Sequence, residues 1–239
     1  MSSVRARIGF TSIAYVTEVF PKVFYEIAPD GVVLTMLSVQ QRASSPEEMK
    51  RIHDETLSHV RSFARAGCDV IFLGGAPTNL AHGADYLENL LGDLRQELGV
   101  PVTSGATSHN NAMLEVGAKR VGVVHPFSSA IKGRHDRQLA AAGLIPAGCI
   151  GADARLEDYH LIPKGKAYEL GRELKRQNPE IDTIFYACPH WNVVEAIEPL
   201  ERELGINVIA SIQATVWEGM RLADIDDKVE GYGKLLREH

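Results

Sequence analysis

The sequence predicts an α/β fold of two similar lobes, each a parallel sheet flanked by helices. Three observations predict it. Apolar runs alternate with helical patterns along the chain, the mark of βα units and parallel strands. Arg7-Ile-Gly-Phe10 resembles Arg120-Val-Gly-Val123, 113 residues further on, and Asp69-Val-Ile-Phe72 resembles Asp182-Thr-Ile-Phe185 at the same offset. Leu94-x-x-Glu-Leu-Gly99 then recurs as Leu200-x-x-Glu-Leu-Gly205, now 106 residues on. Any parallel α/β chain shows such runs; two matches at one offset followed by a third in order indicate a duplicated half. The seven lost residues equal about two helical turns, so the helix before Gly205 is expected to be the shorter one.

Strands are expected at Arg7–Ile13, Val32–Val39, Asp69–Gly74, Val100–Ser104, Arg120–His125, Leu144–Ile150, Thr183–Ala187 and Asn207–Ser211. The helix after the second strand opens with Ser45-Pro46-Glu47-Glu48, a capping box with proline at the first helical position. Met49, Ile52, Leu57, Val60 and Phe63 form its apolar face. The expected division is 1–115 plus 212–239 for the first lobe and 116–211 for the second. Two duplicated halves predict a pseudo-twofold. Ligands of open α/β sheets bind outside the carboxyl ends of the strands, so the site is expected in the cleft where those ends face.

Composition narrows the function. A net charge of -6 gives no basic footprint and argues against a nucleic-acid partner. No apolar run is long enough to cross a bilayer, and Met1 to Arg7 lacks a signal-peptide core. Three scattered cysteines form neither a disulfide framework nor a metal spacing, and nine histidines show no paired ligand spacing. The expectation is a cytoplasmic, reduced protein without a metal site, with homo-oligomerisation left open.

Tyr186-Ala-Cys-Pro-His-Trp191 is the most informative stretch. It follows an apolar run and precedes a helical pattern, which places Cys188 between a strand and a helix. Free N–H groups and a helix dipole there tune a thiol. Subtracting 113 pairs Cys188 with Gly75, Pro189 with Ala76, His190 with Pro77 and Asn192 with Asn79; Ser12 pairs with His125 and Ala14 with Phe127. One lobe presents a thiol, the other Gly74-Gly-Ala-Pro-Thr-Asn79. Glycine lets a substrate approach the backbone. Loop N–H groups suit a carboxylate or an oxyanion. Pro77 has no N–H to donate, and Thr78 and Asn79 offer substitutes. The same residues also fit a plain strand-to-helix turn.

The run from Cys188 through Glu195-Ala-Ile-Glu-Pro-Leu-Glu201 and Leu204-Gly205 to Ser211-x-Gln-Ala214-x-x-Trp217 and Arg221-Leu-Ala223 resembles the aspartate/glutamate racemase superfamily, in its arylmalonate decarboxylase and maleate cis-trans isomerase branch. Tyr232-Gly-Lys-Leu235 is similar to the decarboxylase tail. The resemblance implies two facing lobes and a cofactor-free site between them. It implies one cysteine per lobe in racemases and isomerases, and a second-lobe cysteine opposite glycine in decarboxylases, which Cys188 and Gly75 match. His190 is similar to the histidine of the glutamate racemase Cys-Thr-His segment. Ala76-Pro77 replaces the decarboxylase Thr-Ser, and Phe127 and Met49 stand where it has tyrosines. Donors are lost, and a changed substrate or reaction follows.

The expected reaction is decarboxylation of a small malonate-type acid through an enediolate protonated by Cys188. Ser12, Gly75, Ala76, Thr78, Asn79, His125, Phe127, Pro189 and His190 are the expected substrate-binding residues. An isomerase or racemase using Cys188 with a histidine, and a non-catalytic carboxylate-binding protein, are the alternatives. His125 also reads as a turn histidine and Ser12 as a helix cap. Tyr15 is a weaker candidate. Tyr159 and His160 read as surface-loop residues, Trp217 as packing, and Cys68 and Cys149 as buried apolar residues.

Overall fold

The computed structural model describes residues 3–13, 18–42, 45–75, 84–127 and 134–239. The described elements run β1 (Ala6–Ser12), α1 (Val19–Ile27), β2 (Val32–Ser38), α2 (Pro46–Arg65), β3 (Val70–Leu73), α3 (Ala84–Leu98), β4 (Val102–Ser104) and α4 (Gly105–Glu115). They continue with β5 (Arg120–His125), α5 (Arg134–Ala141), β6 (Ile145–Gly151), a 3-10 segment (Leu156–Leu161), α6 (Lys166–Gln177), β7 (Thr183–Tyr186), α7 (Val194–Leu204), β8 (Asn207–Ala210), α8 (Ser211–Leu222) and α9 (Lys234–Glu238). All eight expected strands are present. They form two parallel four-stranded sheets, ordered β2-β1-β3-β4 and β6-β5-β7-β8.

By compactness the chain divides into one unit of residues 1–17, 28–108 and 219–227, and another of residues 18–27, 109–218 and 228–239. Each unit holds one sheet. The first unit's core joins Val60 and Phe63 of α2, Ile71 and Leu73 of β3, Leu87, Leu91 and Leu94 of α3, and Val102. In the second unit Leu170 and Leu174 of α6 and Ile197 and Leu200 of α7 are buried, together with Val121, Val123, Ile184 and Phe185 of the sheet.

The two sheets repeat each other in register. Ile8 pairs with Val70 as Val121 pairs with Thr183, and Ile71 pairs with Val102 as Ile184 pairs with Val208. The offset is 113 up to β7 and 106 at β8, as the sequence matches require. Asp69 accepts the N–H of Arg7 at 2.7 Å, and Asp182 accepts that of Arg120 at 2.9 Å. β6 departs locally: a bulge lies between the pairs Val121–Pro146 and Val123–Cys149, with Gly148 at φ 137°. The extra residue brings Val123 and Cys149 into the register that Phe10 and Met36 hold in the first sheet.

Ser45 caps α2, its Oγ accepting the Glu48 N–H at 3.2 Å. The return bond of the expected capping box goes elsewhere: the Glu48 carboxylate accepts the Arg42 N–H at 2.8 Å. Ile52, Val60 and Phe63 are buried as expected, Thr56 joins them, and Met49 and Leu57 are half-buried. α7 has 11 residues against 15 in α3, so four of the seven missing residues come out of the helix itself.

Candidate active site

Cys188 follows β7 in a turn, and α7 begins only at Val194. The sulfur therefore faces turn N–H groups, where the sequence suggested a helix end. Its backbone has φ 97°, left-handed territory that non-glycine residues rarely occupy. Gly75, its counterpart by sequence, has φ 78° after β3. Burial pushes the Cys188 thiol up to about 12, and the N–H groups of His190 and Trp191 oppose the shift.

The flanking residues fix that turn. Tyr186 is buried and its hydroxyl donates to the Ala167 carbonyl at 2.6 Å. Trp191 is buried edge-on to Tyr186, ring centroids 6.0 Å apart. Asn192 Oδ1 accepts the Val194 N–H at 3.4 Å and so starts α7. Pro189 and His190 are half-buried. The His190 ring lies 6.0 Å from Phe20 of α1, and burial lowers its pKa to about 4.

At the end of β5, His125 is fully buried; it stacks on Phe127 at 5.4 Å and on His135 of α5 at 5.7 Å. Burial holds its pKa below the ordinary histidine value, against weaker opposing effects of the Phe127 backbone and Asp153. Among the described residues its ring nitrogens find no hydrogen-bond partner. Tyr159 packs edge-on against Phe127 at 5.5 Å and is 8% exposed, which corrects its reading as a surface residue. His160 is half-buried in the same 3-10 segment.

Ser12 ends β1 in the first unit, buried, with its carbonyl accepting the Val39 N–H at 2.7 Å. The corresponding His125 carbonyl accepts the Ala152 N–H at 2.9 Å. Gly74 donates its N–H to Thr11 Oγ1 at 2.7 Å, which fixes the chain entering Gly75. Ala14, Tyr15, Ala76, Pro77, Thr78 and Asn79 lie outside the described residues.

Sequence reasoning missed one pair. His109 of α4 lies with its Nε2 2.6 Å from Ser211 Oγ, at the start of α8, and its ring is 5.0 Å from Phe185. Both residues are buried. Burial, and secondarily the His135 charge, lower the His109 pKa to about 3. The partners are 102 positions apart in sequence, and only the fold joins them. Gln213 has a structural role, accepting the Ala210 N–H at 2.9 Å and donating to the Tyr232 carbonyl at 2.5 Å. Trp217 is buried, as is Cys68, whereas Cys149 on edge strand β6 is only half-buried. Among the described residues no group of three or more His, Cys, Asp or Glu could hold a metal, and no helix is long and apolar enough to cross a membrane.

Comparison with known proteins gives a consistent set of likenesses. Residues 22–236 match the arylmalonate decarboxylase family. Arylmalonate decarboxylase of Bordetella bronchiseptica is 28% identical over 203 residues, 81% of this chain and 82% of that protein. Maleate isomerase of Geobacillus stearothermophilus is 22% identical over 197 residues, 80% of this chain and 78% of that one. A crystal structure of arylmalonate decarboxylase superposes with TM-score 0.81 at 24% identity, covering 98% of this chain and 100% of that one. Maleate cis-trans isomerase of Nocardia farcinica gives 0.82 at 20% identity, covering 98% of each.

Proposed function

The chain belongs to the arylmalonate decarboxylase family, and we propose that it decarboxylates a small malonate-type acid with Cys188 as the only thiol acid. The observation that carries this reading is the half-buried Cys188, set in a left-handed turn after β7 whose sequence counterpart is Gly75. A nucleophilic or two-thiol mechanism needs a thiolate or a second cysteine. A proton donor needs neither.

In this reading the segment Gly75 to Asn79 holds the carboxylate that remains in the product. Apolar surroundings of the kind Phe127 and Tyr159 provide exclude water from the carboxylate that leaves. The bond to that carboxylate breaks, carbon dioxide departs, and the electron pair moves into the remaining carboxylate as an enediolate. Loop N–H groups, with Thr78 or Asn79, stabilise the charge. The Cys188 S–H bond then breaks as a C–H bond forms, and the thiolate regains its proton from solvent. No cofactor enters the scheme. Neutral His125 and His190 serve as hydrogen-bonding or shape-setting groups, and one acid on one side yields a single-handed product.

The test is a panel of arylmalonates and alkylmalonates, scored for carbon dioxide release and product handedness, with maleate and free amino acids as comparison substrates. Cys188→Ala is expected to lower kcat by about 10²- to 10⁴-fold, the usual range for a general acid. Survival of turnover in that variant sinks the reading. Conversion of maleate, or proton exchange in heavy water without carbon dioxide release, replaces it with an isomerase or racemase. Binding of acids without turnover replaces it with a carboxylate-binding protein.

A further inference from the structure

The turn that carries Cys188 runs from the end of β7 at Tyr186 to the start of α7 at Val194, and a line of printed contacts ties it to α6. Trp191 sets its backbone N–H against the Cys188 sulfur, as does His190. The Trp191 ring meets Tyr186 edge-on at 6.0 Å, and the Tyr186 hydroxyl donates to the Ala167 carbonyl of α6 at 2.6 Å. The duplication shows that this line belongs to the half with the thiol. At the offset of 113, Tyr186 corresponds to Leu73 and Trp191 to Thr78. The buried residues Thr56, Val60 and Phe63 of α2 recur with the same spacing as Ala167, Gly171 and Leu174 of α6. Phe63 covers Gly9 as Leu174 covers Gly122, which confirms that register. Gly171 therefore stands where the other half has Val60, and Tyr186 where it has Leu73, two residues of one core cluster.

A Cβ on Gly171 would overlap the Tyr186 hydroxyl, so the glycine makes room for it. Valine and leucine fill the equivalent space in the other half with no buried hydroxyl to satisfy and no glycine inside a helix. Packing alone does not call for the exchange. We propose that Tyr186 is a positioning residue for Cys188, acting through Trp191: its hydroxyl anchors the end of β7 to α6, its ring holds the Trp191 ring, and the Trp191 N–H is thereby kept on the sulfur. The S–H group then keeps one aim toward the substrate carbon. Gly171 serves the same device by leaving the hydroxyl its place. The inference rests on Cys188 acting as the acid, so one arm of its test needs no substrate.

Protein labelled with carbon-13 at cysteine Cβ gives a resonance for each thiol, with Cys68 and Cys149 as internal references. In Tyr186→Phe, which keeps the ring and loses the hydroxyl, the Cys188 resonance is expected to shift or broaden while the other two stay in place. Tyr186→Leu combined with Gly171→Val copies the packing of the other half, and is expected to move the Cys188 resonance further. With a malonate that the wild type decarboxylates, Tyr186→Phe is expected to lower kcat about tenfold and to leave KM within about twofold, because the acid is misplaced and binding is not. Product handedness is expected to fall as solvent protonates the enediolate in its place. An unchanged Cys188 resonance in the folded variants overturns the proposal, even where the urea midpoint falls, since Tyr186 then supplies stability alone. Loss of folding in both variants overturns it likewise. If the wild type decarboxylates no malonate, the reading of Cys188 as an acid fails, while the resonance still decides whether Tyr186 positions the thiol.

Discussion

Cys188 holds a backbone conformation that glycine would hold without strain, at φ 97°. A side chain in that region costs about 1–3 kcal/mol and persists only where surroundings fix it, as they do at functional sites. Buried Tyr186 and Trp191 on either side provide the fixing. A stability test follows that needs no substrate. Cys188→Gly is expected to be more stable than Cys188→Ala by about 1 kcal/mol, the reverse of the ordinary order, because only glycine is relaxed at positive φ. Urea unfolding of the two variants measures it, and an alanine variant as stable as the glycine one removes the strain. The correspondence of Cys188 with Gly75 was legible because the offset of 113 is written in the sequence. The shared left-handed backbone was only half legible, since glycine announces it and cysteine does not. His109 was illegible because it lies in a helix far from Ser211 in sequence, and Tyr159 because a polar-flanked 3-10 segment looks like surface.

Elements were the most legible level. Parallel strands buried on both faces read as continuous apolar runs, and all eight appear with small shifts at their ends. The cap of α2 was read from Ser45 and Pro46, but the backbone N–H that Glu48 accepts is that of Arg42, a choice made by the chain ahead of the helix. The bulge in β6 had no sequence signal beyond a glycine in a strand. Its geometry makes a prediction. A Cβ on Gly148 would stand 2.7 Å from Asn178 Nδ2 and 2.9 Å from its Cγ, at φ 137°. That asparagine ends α6, its side chain donating to the Leu174 carbonyl at 3.1 Å. Gly148→Ala is therefore expected to cost about 2–3 kcal/mol from backbone strain and overpacking together. Adding Asn178→Ala removes the clash, so the double variant should lose less than the sum of the two single losses. Strict additivity in chemical denaturation defeats this account of the bulge.

At the scale of the whole chain, buried histidines set the response to acid. Burial lowers His109 to about 3 and His190 to about 4, and lowers His125 as well, from an ordinary value of 6.5. In the folded chain they stay neutral where the unfolded chain protonates. Their contribution is thus complete above pH 6.5 and is lost as pH falls toward 4 and then 3. Each adds a slope of about 1.4 kcal/mol per pH unit within its window. Glu48 and Glu173, held down to about 2 by Arg51 and Arg176, lose stability in the same direction at lower pH, weakly because both are solvent-screened. Glu201 acts the other way: burial raises its pKa, so its protonation in mild acid favours the folded chain. Three histidines against one carboxylate decide the sign. The urea midpoint is expected to fall between pH 7.5 and pH 5, and His109→Gln, which cannot protonate, should flatten the fall. Equal midpoints at the two pH values would show that these imidazoles take up protons without unfolding the chain.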